Sequence, residues 1–403
     1  MPPRAGPLLR RLASFFIVLM SAGCAAPAPP PVPVEPEPQL GLRPLTFASL
    51  DGWQEDDPRD ALAAFRRSCD RRQGRADGPI GPAPVFGRMA DWQAPCAAAA
   101  DASDSASAAR RFFEAWFQPY QVDDNGDPEG LFTGYYEPVL DGSRRPSPRY
   151  PVPLHVAPAD LSRIDLGRFN PELEGYAIYG RIAGDEFVPY YSRGEIERGA
   201  LVGQQLELLW VDDPIAKFFL QIQGSGQVRL DDGEVVRVGY AAPNGHPYRA
   251  IGRDLIAIGA LAPEEVSLQS IRAWLQAHPQ DAAAMMARNP SYIFFREHPE
   301  LAAADGPFGT EGVPLTAGRS LAVDRRFLPL GVPLWLDTTA PWPEGAAPLR
   351  RLMVAQDTGG AIKGVVRGDI YWGAGERAEA VAGRMRSPGR YAILLPRALV
   401  PTS

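Results

Sequence analysis

The chain has 403 residues, 45% of them hydrophobic and 22% charged, which is room enough for two domains with ordinary globular cores. A formal charge of −7 excludes the basic face on which nucleic-acid binding depends, so no nucleic acid is expected as a partner. The 40 glycines and 43 prolines predict a turn-rich, mainly β fold with many short strands.

Arg4, Arg10 and Arg11 precede the apolar run from Leu12 to Met20, and small residues then lead into Cys24. The run is well short of the roughly 20 residues of a membrane span, so residues 1–24 read as an export signal. Ser21-Ala22-Gly23-Cys24 resembles a bacterial lipoprotein cleavage box, with Ser21 where leucine is usual, and implies lipidation of Cys24. Plain secretion is the alternative. Ala25 is not the aspartate of an inner-membrane retention signal, which points to the outer membrane, with the body facing the periplasm. Residues 25–40 are too proline-rich to form a core and predict an extended tether.

Beyond the tether, Asp57-Pro58 predicts a helix start, with Ala61, Leu62, Phe65 and Cys69 following at helical spacing. Ala108 to Phe117 is a second helix, with Phe113, Trp116 and Phe117 on one face. Leu131 to Leu140 reads as a strand ended by Pro138. The stretch from about 150 to 240 reads as strands, including Leu206–Val211 and Ala216–Gln223, the latter stopped by Gly224-Ser225-Gly226. A barrel or sandwich is the simplest packing. Residues 250–288 turn helical, with Ile271, Trp274 and Leu275 as one stripe and Pro279 as a stop. Short strands return at Val332–Leu336, Leu352–Gln356, Ile370-Tyr371 and Tyr391–Leu395. Cys69 and Cys96 can bond in an oxidising compartment or stay as buried thiols. His155, His246, His278 and His298 lack Cys/His ligand spacing, so neither a metal nor a cofactor is expected.

Asp324, Asp357 and Asp369 each end a short apolar or glycine-containing stretch, which would bring carboxylates to the mouth of a barrel. Like charges held close cannot all ionise, so one can retain the proton a general acid needs. Turn-capping by each aspartate is the bland alternative. Asp357-Thr358-Gly359 also spells the aspartic-protease triplet, but that chemistry needs two such aspartates and no second Asp-Thr-Gly or Asp-Ser-Gly occurs.

Phe132-Thr-Gly-Tyr-Tyr-Glu-Pro138, Gln223-Gly-Ser-Gly226, Gly318-Arg-Ser-Leu-Ala-Val-Asp324, Val354-Ala-Gln-Asp-Thr-Gly-Gly-Ala-Ile-Lys-Gly364 and Gly368-Asp-Ile-Tyr371 together resemble the membrane-bound lytic murein transglycosylase A family, in motif order and from roughly residue 43 to 397. The resemblance implies a double-psi β-barrel from residues 41–137 and 290–400, the three aspartates lying in 310–397. It also implies a second, barrel-like β-rich domain inserted over 138–289, several helices, and a substrate groove between the two. It implies a peptidoglycan lytic exotransglycosylase, a lyase that cleaves the β-1,4 bond between N-acetylmuramic acid and N-acetylglucosamine without water and leaves 1,6-anhydro ends. Asp369 matches the catalytic acid and base, and Asp357 and Asp324 its supporting carboxylates. Thr133, Gly134, Tyr135, Gln223, Ser225, Gly359, Gly360 and Lys363 are the expected substrate-binding positions. Tyr135 and Tyr136 as plain barrel core is the alternative there. Lys363 and Arg367 would depress the acid if they touched it, so both are expected to point at substrate oxygens. The expected partners are glycan strands, the outer membrane through the lipid anchor, and a cell-wall-remodelling complex whose members the sequence does not identify. A non-catalytic peptidoglycan-binding scaffold on the same fold, or a hydrolase using Asp357 as a second carboxylate, are the rival readings.

Overall fold

The computed structural model describes residues 37–173, 176–302 and 304–399; the export signal, Cys24 and tether residues 25–36 lie outside the described residues. In chain order the strands are β1 (Leu40–Pro44), β2 (Phe117–Asp124), β3 (Gly130–Glu137), β4 (Val139–Ser143), β5 (Val152–His155), β6 (Ser162–Asp165), β7 (Ala177–Ala183), β8 (Glu186–Val188) and β9 (Glu207–Val211). They continue with β10 (Ser225–Leu230), β11 (Val235–Pro243), β12 (Ile293–Glu297), β13 (Ser320–Ala322), β14 (Pro333–Trp342), β15 (Gly345–Asp357), β16 (Arg367–Ala374) and β17 (Arg386–Pro396).

Six of these strands form a closed barrel in the order β17-β14-β15-β13-β16-β3, with β3 returning to pair with β17. Closure leaves no exposed edge among the six. β13 with β15 and β16 with β3 run parallel, and the remaining barrel pairings are antiparallel. β2 and β1 extend the sheet outward from β17. Leu321, Leu334, Val354, Ile370 and Ile393 are buried in the core that these strands share with the helices.

Three helices cover one side: α1 (Arg59–Arg72), α2 (Met89–Asp101) and α3 (Ala106–Trp116). Phe65 on α1 meets Phe113 on α3 and Phe117 in tilted or edge-on contacts with centroids 5.5 to 6.1 Å apart. Such geometry stabilises an aromatic cluster beyond its buried area. The Asp57 carboxylate accepts from the Arg59 amide and so starts α1. α2 is the helix the sequence conceals, since Pro95 lies inside it and its alanines give no apolar period. Cys69 and Cys96 are bonded, with Cα atoms 5.3 Å apart, which ties α1 to α2 and decides between the disulfide and the free thiols.

Between β3 and β12 the chain builds a six-stranded sheet, β12-β11-β10-β4-β9-β5, and a three-stranded one, β6-β7-β8. Its end strands β12 and β5 lie against each other without a backbone ladder, which gives the inserted part the expected β-rich, barrel-like form. The segment expected as a strand at Ala216–Gln223 is instead helix α4 (Pro214–Gln223). Its ends explain the correction: Asp213 accepts from the Ile215 amide, Pro214 opens the first turn, and Gly224 closes it at φ +83°. Ile215, Phe218, Phe219 and Ile222 then share one helical face. Pro279 likewise begins the helix Pro279–Ala287 rather than only stopping the one before it.

Pro138 separates β3 of the barrel from β4 of the inserted sheet, and the carboxylate just before it is a buried junction. Glu137 Oε2 accepts from Arg237 Nη2 on β11 at 2.6 Å, Tyr371 on β16 at 3.2 Å and Gln227 on β10 at 3.4 Å. Both ions are at least nine-tenths buried. Removing one partner leaves an uncompensated buried charge, which costs about 3–5 kcal/mol. Urea unfolding of Glu137→Ala should show a loss of that size, whereas Glu137→Met combined with Arg237→Met should lose less than the single change.

Candidate active site

One row of residues across the barrel wall gathers two of the three aspartates. Ala322 on β13 stands in register with Asp357 on one side and Asp369 on the other, and Asp369 stands in register with Thr133 on β3. Neighbouring strands lie roughly 4.8 Å apart, so the two aspartates are held about 10 Å apart at Cα with only an alanine methyl between them. Gly368 precedes the acid because a Cβ there would come within 2.9 Å of Leu321 and Phe132 in the core. Alternation along β3 turns Thr133 and Tyr135 to the site. Gly134 faces the other way, where a Cβ would meet the Trp372 ring nitrogen at 2.5 Å. Gly134 is therefore a packing position, which corrects its expected place in the groove.

The two aspartates differ in how many donors they receive. Asp357 accepts from the Thr310 amide, the Thr310 hydroxyl and the Thr358 amide on Oδ1, each at 2.8 Å, and from the Tyr135 hydroxyl on Oδ2 at 2.8 Å. Three of these donors crowd Oδ1 and one reaches Oδ2, so Asp357 is held by four donors and keeps one acceptor site on Oδ2. Burial still pushes its carboxyl above the usual range, against those donors. Asp369 accepts one hydrogen bond, from the Thr133 hydroxyl to Oδ1 at 2.5 Å. Its carboxyl is pushed up to about 6, by burial first and more weakly by the charge of Asp357, with the Thr133 bond and the Arg367 charge opposing. Of the coupled pair, the acid with one donor is the one that retains a proton near neutrality.

Arg367 completes the arrangement without touching the acid. Its Nη2 donates to the Thr133 hydroxyl oxygen at 2.9 Å, and Nη1 donates to the carbonyls of Leu131 and Gly368. A guanidinium only donates, so the Thr133 oxygen accepts from Arg367 and its proton is directed to Asp369 Oδ1. Neither Arg367 nor Lys363 forms an ion pair with Asp369 among the described residues, as expected, but Arg367 is spent on the protein and not aimed at a ligand. Lys363 is exposed on the loop after Gly359-Gly360 and does not line the cleft.

Asp324 is not part of the pair. Arg326 grips both its oxygens at 2.6 to 3.1 Å and the Gly364 amide donates to Oδ2 at 2.9 Å, so it anchors the 359–364 loop. Burial raises its carboxyl, but the Arg326 and Gly364 bonds outweigh this and hold it below the usual range. That state cannot supply a proton, and its expected part as a supporting acid gives way to one in holding the loop. Tyr136 donates to Glu379 at 2.9 Å and is barrel packing, so only Tyr135 of the tyrosine pair faces the site.

The row opens into a cleft of about 980 Å³ walled by both sheets. Gln223, Ser225 and Tyr240 come from the inserted part, and Phe308, Gly359 and Gly360 from the barrel side. Gln223 also accepts from the Tyr136 amide at 3.0 Å, which fixes the β3 backbone against α4. Sequence reasoning missed Thr310, the double donor to Asp357; its setting in Phe308-Gly-Thr-Glu-Gly312, a glycine-flanked threonine ahead of the barrel strands, was the available signal.

Comparison with known proteins follows the same lines. Residues 131–296 match the MltA specific insert domain and residues 319–395 the 3D domain. A membrane-bound lytic murein transglycosylase A of Vibrio cholerae is 33% identical over 274 residues, 66% of this chain and 66% of that protein, just under two thirds of its length. The crystal structure of a membrane-bound lytic murein transglycosylase from Agrobacterium tumefaciens superposes with a TM-score of 0.78 at 34% identity, covering 89% of this chain and 98% of that one. That of Escherichia coli MltA with bound chitohexaose superposes with a TM-score of 0.63 at 26% identity, covering 89% and 94%.

A raised carboxyl lowers stability once it must ionise. Below the usual 3.8 the side chain is protonated folded or unfolded, and the cost grows between there and about 6, staying constant above. Asp369→Asn removes that cost and keeps an acceptor for Thr133. It should therefore stabilise the fold at pH 8 by on the order of 2 kcal/mol, less than the full shift because one edge is open to the cleft, and change little at pH 4. Urea midpoints at the two pH values measure this.

Proposed function

The chain belongs to the membrane-bound lytic murein transglycosylase A family, and from that membership we propose that it cleaves peptidoglycan glycan strands with Asp369 as sole acid and base. The observation that carries the reading is the unequal donor supply: Asp369 receives one donor and is left able to hold and return a proton, whereas four donors hold Asp357 in place.

Thr133 occupies Oδ1, so the exchangeable proton sits on Oδ2, which has no protein partner among the described residues and belongs to the carboxyl that lines the cleft. That proton passes to the glycosidic oxygen between N-acetylmuramic acid and N-acetylglucosamine as the C1–O bond breaks. The freed carboxylate, with Thr133 still donating to Oδ1, faces the oxocarbenium-like sugar. It then takes the proton of the same sugar's C6 hydroxyl as O6 bonds to C1. The acid is restored, no water is consumed, and the product end is 1,6-anhydro-N-acetylmuramic acid. The nucleophile is already attached to the reacting ring, and such intramolecular attack replaces the second carboxylate that a hydrolase needs. The proposed setting is the periplasmic face of the outer membrane, held by a lipid on Cys24, which suits an enzyme whose substrate lies beside that membrane.

Mass analysis of purified glycan strands after treatment should find ends lighter by one water with the wild type and no cleavage with Asp369→Asn; reducing ends would mean a hydrolase. The acid must start protonated, so the rate should fall as pH rises through about 6. Thr133→Val removes the bond that lowers the carboxyl, and should move that falling limb to higher pH while reducing the maximal rate.

A further inference from the structure

A second cavity, of about 1,000 Å³, adjoins the cleft, and Thr310 lines both. Five arginines reach it from three parts of the chain: Arg71, Arg72 and Arg75 at the end of α1, Arg168 after β6, and Arg325 beside Asp324. Elsewhere arginines are commonly paired, as Arg67 is with Asp305 and Arg326 with Asp324. None of these five has a carboxylate within 4.0 Å among the described residues. Arg72 is 8% exposed, lies over the Trp92 ring at 4.7 Å, and keeps one buried guanidinium nitrogen without a partner.

Two carboxylates share the cavity, and both are engaged. Asp165 accepts from the Gly167 amide at 3.1 Å and lies 3.8 Å from Arg163. Glu311 accepts from Ser68 at 2.7 Å, and burial raises its carboxyl. Glu311 lies near Arg72 and Arg75 and offsets part of their charge, but five arginines face two carboxylates, and a concave wall with an excess of one sign concentrates the opposite charge. In a chain with net charge −7, such a cavity is a local inversion of sign.

We infer that this arginine cavity receives the free carboxylates of the stem peptide while the glycan that bears it occupies the cleft. The inference rests on the proposed glycan-cleaving function and deepens it, naming peptide-substituted strands as the preferred substrate. The stem is joined to the lactyl group of the sugar being cleaved, and four or five extended residues span roughly 15 Å. Thr310, on the rim, bonds Asp357, whose backbone stands about 10 Å from that of Asp369 across two strand spacings. A stem peptide leaving the sugar at Asp369 is thus long enough to reach the Thr310 rim, where the arginine cavity begins. Guanidinium groups suit the task because they bind carboxylates through two parallel hydrogen bonds.

Two measurements on the full chain test this, using Arg71→Gln with Arg325→Gln, since both side chains are more open to solvent than Arg72. The first is calorimetric binding of a soluble stem tetrapeptide, which needs no turnover. Wild type should bind it with an affinity that weakens with salt, the double variant about tenfold or more weakly, and a double lysine variant in between. Equal binding by wild type and the glutamine variant, or inorganic phosphate displacing the peptide at equal concentration, overturns the inference. The second compares cleavage of peptide-bearing strands with the same strands stripped by an amidase. Wild type should favour the former through KM, and the two rates should converge in the glutamine variant. Cleavage of both strands by wild type without preference overturns the cavity's role and leaves the proposed function standing. Peptide binding without cleavage of either strand does the reverse.

Discussion

A parallel pairing between β16 and β3 is the constraint on which the site depends. It sets Thr133 beside Asp369, 236 residues away in sequence, and on its other side β3 pairs with β17, which shuts the barrel. Without the β16–β3 pairing the Asp369 carboxyl would be hydrated on the side that Thr133 covers. Hydration would return the acid to the usual carboxylate range, where it is ionised at neutral pH. The chemistry of one side chain therefore rests on a long-range strand contact and not on any local motif.

The inserted sheet contributes differently. It supplies no donor to either aspartate, but it provides the far wall of the cleft and presses α4 against the β3 backbone through Gln223. The buried Glu137–Arg237 pair ties that wall to the end of β3. A rigid acid-bearing wall and a separately built facing wall divide the work: one tunes the proton, and the other positions whatever fills the space between them.

How much of this the sequence disclosed depended on the range of the interaction. The mainly β architecture, the helices after Asp57 and before Phe117, and the gathering of Asp357 and Asp369 were legible, because turn residues and glycine–aspartate phrases mark strand ends locally. The α4 helix was not, since Ala216–Gln223 is apolar enough to pass as a strand unless the Asp213-Pro214 and Gly224 caps are weighed above it. Asp324 looked equivalent to the other two in its phrase, and only its grip by Arg326, two residues on, sets it apart. Gly134 and Tyr135 adjoin in one motif yet serve opposite faces, a distinction that needs the strand's register. The arginine cavity left no signal, because its members lie at 71, 72, 75, 168 and 325 and meet only when folded.

The barrel is finished by its last strand. β17 pairs with β14, β2 and β3 at once, so every other barrel strand must be made before the ring can close. On the proposed export route, a chain translocated amino end first thus spends most of its passage without a closed barrel. The barrel closes only when residues 386–396 arrive. For the proposed glycan-cleaving activity, that order of events ties competence to completion of the chain, because the wall that bears Asp369 is closed by the strand made last.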